Sequence, residues 1–480
     1  MANEYFERLT AMDASFLVFE SDRCPLHVSA TMIYESGPMT RDGGGIDVGS
    51  YRDAMNAILH RVPRYRQKLQ WIPVVGHPVW VDDPEFNLDY HIRHTSLPRP
   101  GSLEQLKQLS ARVMAQPLDH SKPLWESWVV EGLEGDRFAL ISKFHHCMID
   151  GSSGQELAQI LMSTDPDHRI SKTAPVYAPR RAPSGSDLMR AEADRYAGLA
   201  ARSFRSLGGL GREASALRAG FQDRIGAIRR AYSAVGEAPS DTPLNGRIGP
   251  HRRFDWLDMP LEDVKAVRRA LGCTVNDVVL AIVAGAVRDF LLRRSVDVDE
   301  LDFRVATPVS IRSEDDRGNM GNRVSQWYIP LPIAETDPLK RIERIRAKTS
   351  ELKSSKSALD ADAIMDMVEW TPTVLMSLAG RAASRAAPYN LMVTNVPGPQ
   401  FPLYLQGAKM VAQYAQVPLS EGTALGVALV SYDGTLCWGF NADFELLPDL
   451  EFFVKAVEAA FRDLSHAAGI ETEGTARGPA

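Results

Sequence analysis

Two strand–turn–strand patterns, one in each half of the chain, constrain the fold more than any other feature. Residues 127–131 and 138–144 are rich in strand formers and flank the turn Leu133-Glu134-Gly135-Asp136. Residues 424–431 and 436–441 flank Asp433-Gly434, a pair suited to a tight hairpin. A short turn and helical periodicity follow each hairpin, over 155–162 in the first half and 448–465 in the second. The later helix would bury Leu450, Phe453, Val457 and Phe461 on one face. Such an internal repeat points to two related halves. Only the first copy ends in histidines, His145-His146; the second ends in Phe440-Asn441-Ala442-Asp443. One chemical centre is therefore expected, with the second half completing its walls.

At 480 residues the chain is long for one core. Composition divides it into a first half at 1–178, a linker at 179–250, a second half at 251–466 and a disordered tail at 467–480. The linker is rich in Arg, Ala, Gly and Ser and reads as part helix, interrupted at Gly208, Gly209 and Gly211. Helices are expected over 51–62, stopping at Pro63, and after a Ser102/Gln105 capping box, ending before Pro117. In the second half, 261–271 stops at Gly272, and Thr274 caps an apolar helix over 275–294 with Asp277 in its first turn. Strands are expected over 303–308, 327–331 and 389–394.

The net charge of −7 argues against a dedicated nucleic-acid binder. Cys24, Cys147, Cys273 and Cys437 are widely spaced, so neither a disulfide frame nor a zinc site is expected. The N-terminus lacks a basic-then-apolar leader, and no apolar run approaches the roughly 18 residues of a membrane span. A cytoplasmic protein with at most peripheral membrane contact is expected.

His145 and His146 close a strand, where successive side chains point to opposite faces. Only one of them can face a given cleft. That disfavours a metal shared by the adjacent imidazoles and predicts one working histidine, the other supporting it. A histidine titrating near neutrality suits the removal of a proton from an alcohol attacking an activated carbonyl. Asp150 and Gly151 fall in the following turn, where Gly151 permits angles that a side chain resists. The same parity turns Cys147 away from His146, against a thiol nucleophile.

His145-His146-x-x-x-Asp150-Gly151 resembles the motif of the chloramphenicol-acetyltransferase-like superfamily. Further segments narrow the resemblance to the bacterial wax ester synthase/acyl-CoA:diacylglycerol acyltransferase family. They are Leu9-Thr10-x-Met12-Asp13 with Phe16-Leu17, Pro123-Leu124-Trp125, Asn276-Asp277, Pro308 to Arg312, Gly321-Asn322, and Asn395-Val396-Pro397-Gly398-Pro399. The likeness runs from about residue 5 to residue 465.

The resemblance implies an α/β fold of two halves, each a mixed sheet flanked by helices, with a substrate tunnel between them. It implies transfer of a fatty acyl group from acyl-CoA, a cosubstrate, to a long-chain alcohol or diacylglycerol, with no covalent acyl-enzyme and no further cofactor. His146 matches the general base. Asp150 matches a residue that turns from the substrate to pair with an arginine, for which Arg312 is the candidate. Asn276 could simply satisfy the helix terminus, or donate to the oxyanion or line the tunnel. Trp125, with Pro123 and Leu124, reads chiefly as packing. Asn395, Pro397 and Gly398 read as a rigid turn, with Gly398 able to take a positive φ, and secondarily as channel wall. The linker arginines read as a solvated face or, alternatively, as a surface for CoA phosphates or anionic lipid. Membrane or lipid-inclusion association follows from the family likeness. Rival functions are acyl transfer to a polyketide or glycolipid hydroxyl, condensation-type amide formation, and a non-catalytic lipid-inclusion protein.

Overall fold

The computed structural model describes residues 6–148, 160–170, 173–207, 238–310, 324–354 and 388–472, with 474, 475, 478 and 479 of the tail. In chain order the first half gives β1 (Phe6–Arg8), α1 (Ala11–Phe19), β2 (His27–Glu35), α2 (Val48–Ile58), β3 (Gln67–Trp71), β4 (Pro78–Asp82), α3 (Leu88–His91), β5 (Ile92–Ser96), α4 (Leu103–Ala115), β6 (Trp125–Leu133) and β7 (Arg137–His145). The connecting helix α5 covers Gly185–Leu207. Then come β8 (Asn245–Gly246), β9 (Arg252–Pro260), α6 (Leu261–Leu271), α7 (Val275–Arg293), β10 (Arg304–Ser310), β11 (Val324–Pro330) and α8 (Pro338–Ser354). The last group is β12 (Leu391–Val396), β13 (Tyr404–Leu405), β14 (Ala408–Gln416), β15 (Gly422–Thr423), β16 (Leu425–Tyr432), β17 (Thr435–Asp443) and α9 (Leu450–Ala467).

Local signals account for many of these boundaries. Ser102 and Gln105 form the expected capping box, as do Thr274 and Asp277. Gly272 ends α6 in the left-handed conformation at φ 60°. Asp433 and Gly434 both take positive φ, the backbone of a twist-matched two-residue hairpin.

Both predicted hairpins lie inside six-stranded sheets, in orders β13-β14-β2-β7-β6-β5 and β11-β10-β12-β16-β17-β9. The repeat extends to topology. In one sheet β6 pairs parallel with β5 and β7 antiparallel with β2. In the other, β16 pairs parallel with β12 and β17 antiparallel with β9. His145 thus ends the strand equivalent to the one that ends at Asp443.

The halves are not separate along the sequence. β14, which lies inside the second half, leaves its sheet and pairs with β2 of the first. The joint is a shared apolar cluster that includes Ile33, Leu106, Phe254, Trp256 and Tyr414. Trp256 stacks on Tyr414 with centroids 4.4 Å apart, and Lys107 pairs with Asp255. The described tail residues also fold back, since Arg137 Nη1 donates to the Pro479 carbonyl at 2.9 Å. Among the described residues no single helix is long and apolar enough to cross a membrane. The helix expected at 155–162 and the linker glycines lie outside the described residues, apart from the short helical end at 160–161.

Candidate active site

β7 ends at His145, and the chain enters a single 3-10 turn, His146–Met148. Two different segments hold the adjacent amides. The His145 N–H donates to the Leu124 carbonyl at 3.0 Å, and the His146 N–H donates to that of Leu26 at 2.8 Å. The rings diverge accordingly. His145 is fully buried, while His146 is half-buried and stacks on Phe16, with centroids 3.9 Å apart and planes at 25°. The turn causes this divergence. The strand alternation expected from the sequence stops one residue too early to supply it.

Phe16 is presented by α1, whose start is built by the Leu9-Thr10-x-Met12-Asp13 segment. Leu9 is buried in the core, and the Thr10 hydroxyl accepts from the Asp13 N–H at 3.1 Å while donating to the Asp13 carboxylate at 2.6 Å.

His145 faces a largely buried carboxylate. Glu20 Oε2 lies 2.8 Å from His120 Nε2 and 3.2 Å from His145 Nε2, and Glu20 Oε1 lies 3.4 Å from His27 Nε2. Burial alone would raise the Glu20 pKa. The three imidazoles reverse that and hold the carboxyl far below its usual range. In turn, Glu20 raises His120, whereas burial pushes His27 down to about 4. His145 Nδ1 accepts from the Cys147 N–H at 3.1 Å. In the neutral ring this leaves the proton on Nε2, facing Glu20. Glu20, His120 and His145 bring ligand atoms within 4.8 Å of one another, as a metal site would. The tautomer instead turns the His145 Nε2 proton towards the carboxylate, 3.2 Å away.

Burial pushes His146 down to about 4, so its ring is neutral at pH 7. Its Nδ1 has no hydrogen-bond partner among the described residues.

A cavity of about 620 Å³ opens on the face of the first sheet; Phe144, two residues before His146, lines it, and His146 itself is not part of its wall. Phe144, Ser142 and Leu140 of β7 and Ala30, Met32 and Tyr34 of β2 form part of its floor. Tyr51 and Met55 of α2 and residues 396–399, with Phe401, stand around it. The lining is mainly apolar with scattered hydroxyls, as expected for a site that takes a largely hydrocarbon ligand.

The model of the wax ester synthase/diacylglycerol acyltransferase catalytic domain matches residues 9–279, and that of the WS/DGAT C-terminal domain matches 320–465. The chain belongs to the wax ester synthase/diacylglycerol acyltransferase family. It is an acyltransferase of the kind that moves a fatty acyl group from acyl-CoA to a long-chain alcohol or diacylglycerol. A Mycobacterium tuberculosis (strain CDC 1551 / Oshkosh) protein named for diacylglycerol O-acyltransferase activity is 31% identical over 481 residues, covering 98% of this chain and 92% of the relative. The wax ester synthase/diacylglycerol acyltransferase of Marinobacter aquaeolei VT8 superposes with a TM-score of 0.67 at 23% identity, over 96% of this chain and 100% of that one. The starter condensation domain of rhizomide synthetase, solved with C8-CoA, superposes with a TM-score of 0.56 at 12% identity, over 98% and 96% of the two chains. These structural likenesses establish the two-lobed fold shared with condensation domains.

The other family segments divide by place. Trp125 is buried, donates from Nε1 to the Tyr65 carbonyl at 2.8 Å, stacks on His91 at 4.5 Å and also lines the cavity. Leu124 supplies the carbonyl that holds His145, and Pro123 the carbonyl that accepts from the Trp125 N–H. Asn395 lies near the end of β12, and Pro397 and Gly398 are cavity wall. Gly398 is required for a different reason from the one expected. Its φ is not positive; a Cβ there would stand 2.2 Å from the Ser431 carbonyl oxygen. Asn276 is half-buried at the start of α7, whose terminus Thr274 and Asp277 already cap, and it is not part of the cavity wall. Asp150, Gly151 and Arg312 lie outside the described residues.

Cys147 is buried in the apolar core, and burial pushes its thiol well above the ordinary range. A thiol so placed is a poor nucleophile. Cys147→Ala is expected to keep kcat/KM within about threefold of wild type in an ester-formation assay. Abolished turnover in a folded variant would revive a thiol route. Glu20, His27 and His120 were not marked by any sequence motif.

Proposed function

We propose that His146 is the general base of direct acyl transfer. Its ring would take the proton of an acceptor hydroxyl while that oxygen attacks the thioester carbonyl of acyl-CoA. The new C–O bond gives a tetrahedral oxyanion, whose collapse breaks the C–S bond. The CoA thiolate leaves and recovers the proton as free thiol. The observation that carries this reading is the contrast between the two rings. His145 is occupied by Glu20, while His146 is neutral, half-buried and oriented by Phe16 at the end of a cavity-lining strand.

We propose a long-chain alcohol and diacylglycerol as acceptors. Purified protein would be given palmitoyl-CoA with hexadecanol, and separately with a diacylglycerol, while thiol and neutral lipid are followed. Ester from at least one acceptor is expected; ester from neither would sink the reading.

Such substrates reside in lipid, so we also propose peripheral contact with a membrane or lipid-inclusion surface. The tip of the β3–β4 hairpin supports this. Trp71 is 44% exposed, and Val74 is 91% exposed at φ 66°, an uncommon backbone for a β-branched residue. Val74→Asp is expected to reduce co-sedimentation with lipid vesicles severalfold. Unchanged co-sedimentation would place the contact elsewhere.

A further inference from the structure

The cavity floor carries a cross-strand pattern beyond general apolarity. In register, Ser127 of β6 lies opposite Ser142 of β7, Ser142 opposite Ala30 of β2, and Ala30 opposite Ala415 of β14. The flanking rows on the same face are bulky. Trp125 pairs with Phe144 on the side nearer His146, and Leu140 with Met32 on the other. Same-face rows stand about 6–7 Å apart. A row of Ser and Ala between such rows is a trough running across the strands.

The trough has a definite end. The Tyr51 hydroxyl lies 2.8 Å from Ser127 Oγ, both residues are buried, and together they close it at β6. At the β14 side, Ala415 and Gln413 are half-buried, so that side is less enclosed. Across β6, β7 and β2, whose row residues line the cavity, the trough spans about 10 Å.

Position along the strand limits what can lie there. Ser142 precedes His145, the end of β7, by three residues, roughly 10 Å of strand, and His146 stands in the turn one residue further. With C–C bonds of about 1.5 Å in a zigzag, a chain reacting at His146 reaches the row only near its tenth carbon.

We propose that the Ser127–Ser142–Ala30 row seats the distal part of a long alkyl chain, with Tyr51 as its stop. The seat rests on the acyl-transfer reading for its identity as a substrate site. The alkyl chain can belong to acyl-CoA or to the alcohol.

The test uses the full chain carrying Ser142→Leu, with Ser142→Val and Ala30→Val as milder fillings should the first fail to fold. One arm compares palmitoyl-CoA with octanoyl-CoA at fixed hexadecanol. The other compares hexadecanol with octanol at fixed palmitoyl-CoA. The ratio of kcat/KM for the sixteen-carbon to the eight-carbon substrate is expected to fall at least tenfold in one arm, and that arm identifies the source of the chain. Unchanged ratios in both arms, in variants with wild-type circular dichroism, overturn the seat. If even the wild type gives no ester, the functional reading fails. Calorimetric titration with the same four ligands still decides the seat, through tenfold loss or retention of the preference for the longer chain.

Discussion

His146→Ala is expected to lower kcat by about 10²- to 10⁴-fold, the range for removing a general base. The ring is half-buried, and its described packing contact is the stack on Phe16, so the fold should survive. The pH dependence carries the same signature. A base must be neutral to accept a proton, and burial holds His146 down to about 4. Wild-type kcat/KM should therefore be flat from pH 8 down to about pH 6 and fall as pH drops towards 4. An ordinary histidine would already lose activity near 6.5. Full turnover by His146→Ala would remove the assigned mechanism even if ester formation is real.

Glu20→Gln should have the next largest effect, on stability and rate together. Three imidazoles converge on this carboxylate, with His27 and His145 fully buried. Removing the charge takes from the three imidazoles the carboxylate that they face and is expected to cost about 2–3 kcal/mol. The rate effect passes through geometry. Glu20 sets the His145 tautomer whose Nδ1 accepts from the Cys147 N–H, and that bond ties down the turn carrying His146. Displacement of the base by about 1 Å can cost roughly 10²-fold, so a loss of 10- to 100-fold in kcat is expected.

Glu20 is a positioning residue; its loss of rate should appear in kcat with KM little changed, and its charge has two further readouts. His120, now raised by Glu20, should return to the ordinary histidine range in an NMR titration of the variant. The wild-type carboxylate is depressed, so its stabilisation is complete above the ordinary Glu pKa and is lost as pH falls below it. The stability gap between wild type and Glu20→Gln should therefore narrow in acid. Equal stability at pH 7 and an unmoved His120 would contradict the role given to Glu20.

Features with local causes were legible in the sequence. The capping boxes at Ser102 and Thr274, the stop at Gly272 and the Asp433-Gly434 hairpin are each set by a few adjacent residues. The hairpin leading to His145 was legible for the same reason, and so was the repeat that it forms with β16 and β17.

Strands whose faces serve the site were hidden. In β2 the inward-facing set includes Ser29 and Thr31, and Thr31 is satisfied by Ser110 at 2.9 Å. Its other face, including Ala30 and Met32, lines the cavity, so polarity does not alternate along the strand. β14 is similar, and its pairing with β2 joins segments far apart in the chain, such as Met410 with Tyr34 and Gln416 with Ser29. Glu20, His27, His120 and His145 meet only through that tertiary arrangement, with no common spacing to mark them.

The central claim is that the acceptor oxygen, activated by His146, attacks the thioester directly. Rapid-quench mixing of wild-type protein with palmitoyl-CoA alone tests it most closely, with thiol and acylated protein both followed before hexadecanol is added. The predicted result is no thiol burst and no acylated protein, then thiol and ester appearing together, one for one, once the alcohol arrives. A burst of thiol matching the protein concentration, with the palmitoyl group on the chain, would contradict it.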